Sequence, residues 1–177
     1  MKLFDYVVKN GLCSTQEYEA ILSEFPRKPK RFNMLVFGLG YDAMLWLAYN
    51  PQGETHFLEN SGKWIKRCSP IPNVHKVSYG TSGWDQSCIY PPDKLRMLLP
   101  EIVEQIEWDV IFVDAPRGKI HGRMKSIYQA HRLAGKHSSP TTVFVHDYNR
   151  RTEKLYVDHY FGEENVEVVK RLAIIRL

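Results

Sequence analysis

Met34-Leu35-Val36-Phe37-Gly38-Leu39-Gly40-Tyr41-Asp42-Ala43 decides the fold of this chain. Four consecutive apolar residues followed at once by glycine describe a short strand buried on both faces, as in a parallel sheet, rather than an alternating surface strand. The G-x-G-x-x-A spacing that closes it permits a tight turn into a helix and lets a ligand lie against bare backbone at the start of that helix, expected from about Asp42 to Tyr49. The same glycines would also serve a close helix–strand contact alone. Glu59 adds to the first reading: it ends the next apolar run, Thr55-His56-Phe57-Leu58, about 20 residues further on, where a nucleotide-binding fold places a carboxylate for ribose hydroxyls.

Working outward, strands alternate with helices. Upstream, Ser14-Thr15-Gln16-Glu17 has the form of a capping box, and Tyr18, Ile21, Leu22 and Phe25 follow at helical spacing until Pro26. Residues 1–30 thus form an N-terminal helical extension and linker. Downstream, a short helix is expected around Lys63 to Arg67 and a third strand over Val74 to Tyr79. An amphipathic helix from Leu95 to Ile106 follows, with Pro100 placed to split it. Trp108 to Val113 is a buried strand ending at Asp114, Arg123 to Leu133 a helix, Thr141 to Val145 a strand ending in His146-Asp147, and Thr152 to Tyr160 the last helix. Val166 to Val169 and Leu172 to Ile175 lie too near each other for a crossover helix and so pair antiparallel. The expectation is one α/β domain over 1–177, Rossmann-like, with a mostly parallel seven-stranded sheet and a C-terminal antiparallel strand pair.

Composition narrows the function classes. With 177 residues, 44% hydrophobic and 25% charged, the chain has room for one core, and no apolar run reaches the ~18 residues of a membrane span. The net charge of +4 is dispersed apart from Arg27-Lys28-Pro29-Lys30-Arg31, which reads as a solvated linker, so nucleic acid is not the expected partner. Cys13, Cys68 and Cys88 are odd in number and lack C-x-x-C spacing, which argues against a disulfide framework or a structural zinc site. With no secretory signal in Met1 to Asn10, a soluble, cytoplasmic location is expected.

In such a sheet ligands bind beyond the carboxyl ends of the strands. The candidates there are Gly38, Gly40, Asp42, Glu59, Tyr79 and Thr81 for a cofactor, and Asp114, His146 and Asp147 for chemistry. The glycine turn and Glu59 suit a dinucleotide or S-adenosylmethionine (SAM) equally. Seven strands with a terminal antiparallel pair and no second strand set is, by analogy, the layout of SAM-dependent methyltransferases. Methyl transfer to oxygen needs the hydroxyl in line with the S–CH3 bond and is helped by removal of its proton. His146 or Asp147 could be that base. Alternatively Asp114, Asp147 and Asn149 offer hard oxygen ligands for Mg2+ or Mn2+. Both routes stay open, as do the plainer readings of His146 as a buried backbone-bonded histidine and Asp147 as a helix cap. The basic stretch from Pro116 to Arg123 is placed to close over the site, where Arg117 or Arg123 would hold the carboxylate of an acidic sugar. Trp64, Trp84 and Trp108 would stack on a sugar or adenine, or belong to the core.

Taken together, Leu35 to Asp42, Phe57-Leu58-Glu59, Tyr79-Gly80-Thr81, Trp108 to Pro116, Gly122-Arg123-Met124, Ile127-Tyr128 and Val143 to Asp147 resemble the plant glucuronoxylan 4-O-methyltransferases, in order over about Met34 to Leu177. The resemblance implies SAM as methyl donor and a glycan-borne sugar as acceptor. The plant enzymes carry an N-terminal membrane anchor that these residues do not contain. The stretch from Ala115 to Gly122 also departs from the family, with Arg117 and His121 in place of its more usual residues. The acceptor is therefore glucuronic acid or another sugar such as rhamnose. A small-molecule or RNA O-methyltransferase and a non-catalytic nucleotide-binding module are the rivals.

Overall fold

A computed structural model describes residues 2–117, 122–136 and 140–177. Its strands are β1 (Asn33–Phe37), β2 (Glu54–Glu59), β3 (Val74–Lys76), β4 (Val110–Val113), β5 (Thr142–Val145), β6 (Val166–Val169) and β7 (Leu172–Arg176). They form one sheet in the order β3-β2-β1-β4-β5-β7-β6. β1 to β5 run parallel, and β7 is antiparallel to both β5 and β6, as the sequence requires. The central strands are buried on both faces because helices cover both. The registers Phe37↔Leu58, Phe37↔Val113 and Val113↔Val145 bring three strands to an end in step. Gly38, Glu59, Asp114 and His146 therefore emerge side by side along one edge, which is where chemistry is placed.

The helices are α1 (Leu3–Asn10), α2 (Thr15–Glu24), α3 (Ala43–Tyr49), α4 (Gly62–Arg67), α5 (Pro92–Leu95), α6 (Glu101–Gln105), α7 (Met124–Ala134) and α8 (Arg151–Phe161). The capping box forms: Ser14 Oγ accepts the Glu17 N–H and Glu17 Oε2 accepts the Ser14 N–H. The N-terminal segment is more than an extension. Tyr18, Ile21 and Phe25 of its apolar stripe pack with Phe32, Trp46 and Phe112 into the core of one sheet face, with Trp46 centred 5.8 Å from Tyr18 and 5.5 Å from Phe112. The opposite face is closed by α7 and α8 through residues such as Ile127, Leu133 and Tyr156.

Two elements differ from their expected extent. β3 stops at Lys76, although Val77 N–H still donates to Glu59 C=O, and the chain then leaves the sheet so that Tyr79 turns its hydroxyl onto the Leu58 carbonyl. The helix expected over Leu95 to Ile106 is two short helices. Pro100 caps α6, and the residues before it are extended, as residues preceding proline tend to be. Among the described residues no helix is long and apolar enough to cross a membrane.

Candidate active site

At the end of β1, Gly38 has φ +121°, a conformation L side chains rarely adopt, and a Cβ there would lie 3.2 Å from that of Ala115. Glycine is needed both for the turn and for its close approach to the end of β4. Glu59 fastens this turn: Oε2 accepts the Leu39 N–H at 2.9 Å and Oε1 the Ser61 N–H at 2.6 Å. The Asn60 N–H adds to these contacts, and a carboxylate offers about four lone pairs, so acceptor capacity remains for a ribose hydroxyl. Burial raises the Glu59 carboxyl above its ordinary value, offset in part by these N–H groups. On the rim, Tyr41 meets Trp64 edge-to-face at 5.3 Å, and the Arg67 guanidinium lies over both rings. These residues fit SAM: a turn without side chains at the carboxyl edge, a carboxylate beside it, and aromatic faces next to the turn.

Asp42, Tyr79 and Thr81 face inward. Tyr79 is 2% exposed and its hydroxyl donates to Leu58 C=O, while the Thr81 hydroxyl donates to Gly122 C=O. Asp42 is buried, and burial together with the nearby Asp114 charge pushes its carboxyl up to about 7. The folded chain therefore keeps a proton on Asp42 that the unfolded chain, titrating near ~4, has released. Stability from this group is lost as pH rises from about 4 to about 7. Asp42→Asn is expected to stabilise the fold at pH 8 by up to about 4 kcal/mol and to change little at pH 4. Urea denaturation at both pH values checks this, and an equal shift at both would refute the assignment.

Beyond β4 and β5 lies a buried ionic cluster. Asp114, 16% exposed at its side chain, is bound by Arg123 Nη2 at 2.8 Å and His146 Nδ1 at 2.9 Å. Burial alone would raise its carboxyl, but the Arg123 charge and the His146 contact outweigh this and hold it below the usual carboxylate range. His146 is 1% exposed, and its Nε2, without a hydrogen-bond partner, faces Glu17 Oε2 at 3.8 Å. Asp147 adopts φ +62°, strained for a non-glycine residue. Its carboxylate is 3% exposed and meets three guanidinium groups: Arg123 at 2.9 Å, Arg150 at 2.9 Å and Arg171 at 3.2 Å.

This geometry revises several expectations. Arg123 does not reach toward an acceptor. Its side chain is 1% exposed, and its guanidinium joins Asp114, Asp147 and the His146 carbonyl, because α7 begins beside the ends of β4 and β5 and turns residue 123 into the gap between them. Asp147 is buried and enclosed by arginines. A single nitrogen of Arg123 bridges Asp114 and Asp147, so their charge is already matched by a cation that stays protonated. Asp114, His146 and Asp147 bring ligand atoms within 4.8 Å of one another, but with Arg123 Nη2 bridging both carboxylates they present no open position to a divalent metal, and Asn149 is exposed on the turn beyond them. Arg117 is exposed, as an acceptor-binding residue must be; His121 lies outside the described residues. Trp108 belongs to the core, its Nε1–H donating to Val103 C=O, and Trp84 packs on Tyr90. Glu17, Arg150 and Arg171 escaped the sequence reading. Arg150 had a local signal in its place three residues after Asp147, and Glu17 one as a capping residue; Arg171 had none.

The family model for IRX15/IRX15L/GXM matches residues 16–89 and 93–174, which include every residue of this cluster. The chain belongs to that family. Among IRX15/IRX15L/GXM relatives from Arabidopsis thaliana, arabinogalactan O-methyltransferase 1 is 34% identical over 156 residues, covering 72% of this chain and 54% of that protein. Glucuronoxylan 4-O-methyltransferase 1 is 34% identical over 169 residues, covering 81% and 60%. The chain thus spans little more than half the length of these relatives. In fold it matches the MycE methyltransferase of mycinamycin biosynthesis, solved with Mg, SAH and mycinamycin VI: TM-score 0.53, 13% identity, 99% of this chain and 48% of that one. It also matches precorrin-6y C5,15-methyltransferase from Geobacter metallireducens, with TM-score 0.53, 17% identity and coverage of 93% and 88%. The fold is that of the SAM-dependent methyltransferases.

Proposed function

We propose that this member of the IRX15/IRX15L/GXM family is a SAM-dependent O-methyltransferase whose acceptor is a sugar hydroxyl of a polysaccharide. The observation that carries the reading is the match of the family model over both halves of the site, the glycine turn with Glu59 and the Asp114–Arg123–His146–Asp147 cluster. The names of two relatives, an arabinogalactan and a glucuronoxylan 4-O-methyltransferase, support a polysaccharide acceptor, with the 4-hydroxyl of glucuronic acid the first choice and another sugar such as rhamnose the second.

Bound SAM would supply a methyl group on a sulfonium, already activated for displacement. Gly38, Gly40 and Glu59 are the residues assigned to hold it. Asp114 is ionised at every working pH and is the one carboxylate of the cluster with exposed surface, so it accepts the hydrogen bond of the acceptor hydroxyl. A hydroxyl becomes strongly acidic as its oxygen gains the methyl group, so even a weakly basic carboxylate can take the proton late in the step. His146 and Arg123 fix the direction of Asp114, and Asp147 holds Arg123 in place. No step is assigned to a metal, because Arg123 occupies the position between the carboxylates.

Calorimetric titration with S-adenosylhomocysteine, with NAD as control, tests the cofactor assignment. Binding of the first alone is expected, with Glu59→Ala weakening it about tenfold or more, as loss of a charged hydrogen-bonding group costs about 1.5–3 kcal/mol. Binding of NAD instead, or of neither ligand by folded protein, would contradict the reading.

A further inference from the structure

Next to the ionic cluster is a cavity of about 590 Å³ lined by residues 85–87 and 150–153. Its walls are the loop that follows β3 and the start of α8 after β5, both at the carboxyl ends of parallel strands. The walls are tied to each other: the Thr152 hydroxyl donates to the Gln86 main-chain carbonyl, and the Tyr156 hydroxyl, bonded to Cys88 C=O, accepts the Tyr90 N–H. They are tied equally to the cluster. Arg150 Nη2 pairs with Asp147 at 2.9 Å, and Glu153 Oε1 accepts the Arg123 N–H at 3.3 Å. Gly122 forms part of the same wall, where a Cβ would come within 3.0 Å of Thr152 Cγ2. Arg123 connects the two, its main-chain N–H bound by Glu153 and its guanidinium by Asp114.

The chemistry of the lining is unusual for a small-molecule site. Small-molecule pockets are lined mainly by hydrophobic side chains, whereas every residue lining this one is polar or charged and its apolar surface comes from their aliphatic carbons. Arg150 Nη1 is buried and has no hydrogen-bond partner, a donor left over after Nη2 is spent on Asp147. A cavity large enough for a sugar ring, lined by polar and charged side chains and by their aliphatic carbons, suits a ligand that carries hydroxyl groups around an apolar ring face.

We propose that this cavity is the acceptor subsite, in which a sugar ring of the polysaccharide lies between the 85–87 loop and the start of α8, against the side chains of Arg150 and Arg151. This rests on the methyltransferase reading and adds to it a place for the acceptor ring. Arg151, on the exposed side of the cavity and facing the Asp85 charge, sets the electrostatic preference of the entrance.

Ser87→Trp, which fills the cavity from an exposed loop, and Arg151→Glu test the proposal by two routes. The probes are glucuronic acid-bearing xylo-oligosaccharides and arabinogalactan oligosaccharides, with binding measured by calorimetry and transfer by incorporation of labelled methyl from SAM. Both variants are expected to bind S-adenosylhomocysteine as the wild type does. Ser87→Trp is expected to lose oligosaccharide binding and transfer by tenfold or more, and Arg151→Glu to raise KM for the acidic oligosaccharides with little change in kcat. Wild-type-like binding and transfer in Ser87→Trp would overturn the subsite while leaving the methyltransferase reading intact. Oligosaccharide binding that Ser87→Trp abolishes, in a wild type that transfers no label, would leave the subsite and overturn that reading. A wild type that does neither would overturn both.

Discussion

Arg123→Met is expected to lower the free energy of unfolding by about 3 kcal/mol, because it removes the partner shared by two buried carboxylates and leaves Asp114 with His146 alone, while Asp147 keeps Arg150 and Arg171. Arg123 Nη2 lies within 2.9 Å of both Asp114 and Asp147, and the side chain is 1% exposed, so no water stands ready to replace it. Methionine retains much of the side-chain volume, which confines the loss to charge and hydrogen bonding. Denaturant titration followed by circular dichroism measures the effect. Asp114→Asn in the same background should recover part of the loss, because the carboxylate left short of a cation no longer carries a charge. A change below 1 kcal/mol in Arg123→Met would mean that the cluster is hydrated and that Asp114 is not held by it.

Asp114→Asn is expected to reduce turnover by a factor of about 10²–10⁴, the range for loss of a proton acceptor in the transition state. Binding of S-adenosylhomocysteine should be preserved, since the glycine turn and Glu59 are tied to β1 and β2 and not to Asp114. The division between binding and turnover separates a catalytic residue from a merely structural one. The pH dependence adds a second readout: the Asp114 carboxyl is held below its ordinary range, so the acid limb of the wild-type rate should lie below the usual carboxylate pKa near ~4. A variant that retains wild-type turnover, or one that loses cofactor and turnover together, would remove Asp114 from this role.

The strands were readable in the sequence because each buried one is a run such as Met34 to Phe37 or Val110 to Val113, bounded by glycine, aspartate or histidine. Gly38 was readable too, since only a residue without Cβ suits φ +121° at that turn. What escaped was the direction of long side chains. Arg123 lies in a basic stretch and reads as a solvent-facing arm; its inward turn depends on β4 and β5 being neighbours, which brings Asp114 and Asp147 to either side of it. Glu17 carried a clear local signal as a capping residue, yet nothing local reports that the same carboxylate faces His146 and accepts the Arg171 N–H from the far end of the chain. Asp147 was legible as a strand-end acid; its pairing with three arginines was not, because they come from positions 123, 150 and 171. Local pattern reveals which residues stand at the strand ends. Charge pairing across the sheet decides which of them meet solvent.

The most direct test of the whole account is incubation of the purified protein with methyl-labelled SAM and a panel of glucuronoxylan and arabinogalactan, followed by hydrolysis and identification of the labelled sugar. The account predicts label on a sugar oxygen in the wild type and its loss in Asp114→Asn. Folded protein that binds S-adenosylhomocysteine but leaves every polysaccharide unlabelled would contradict the polysaccharide acceptor, and label that persists in Asp114→Asn would contradict the site.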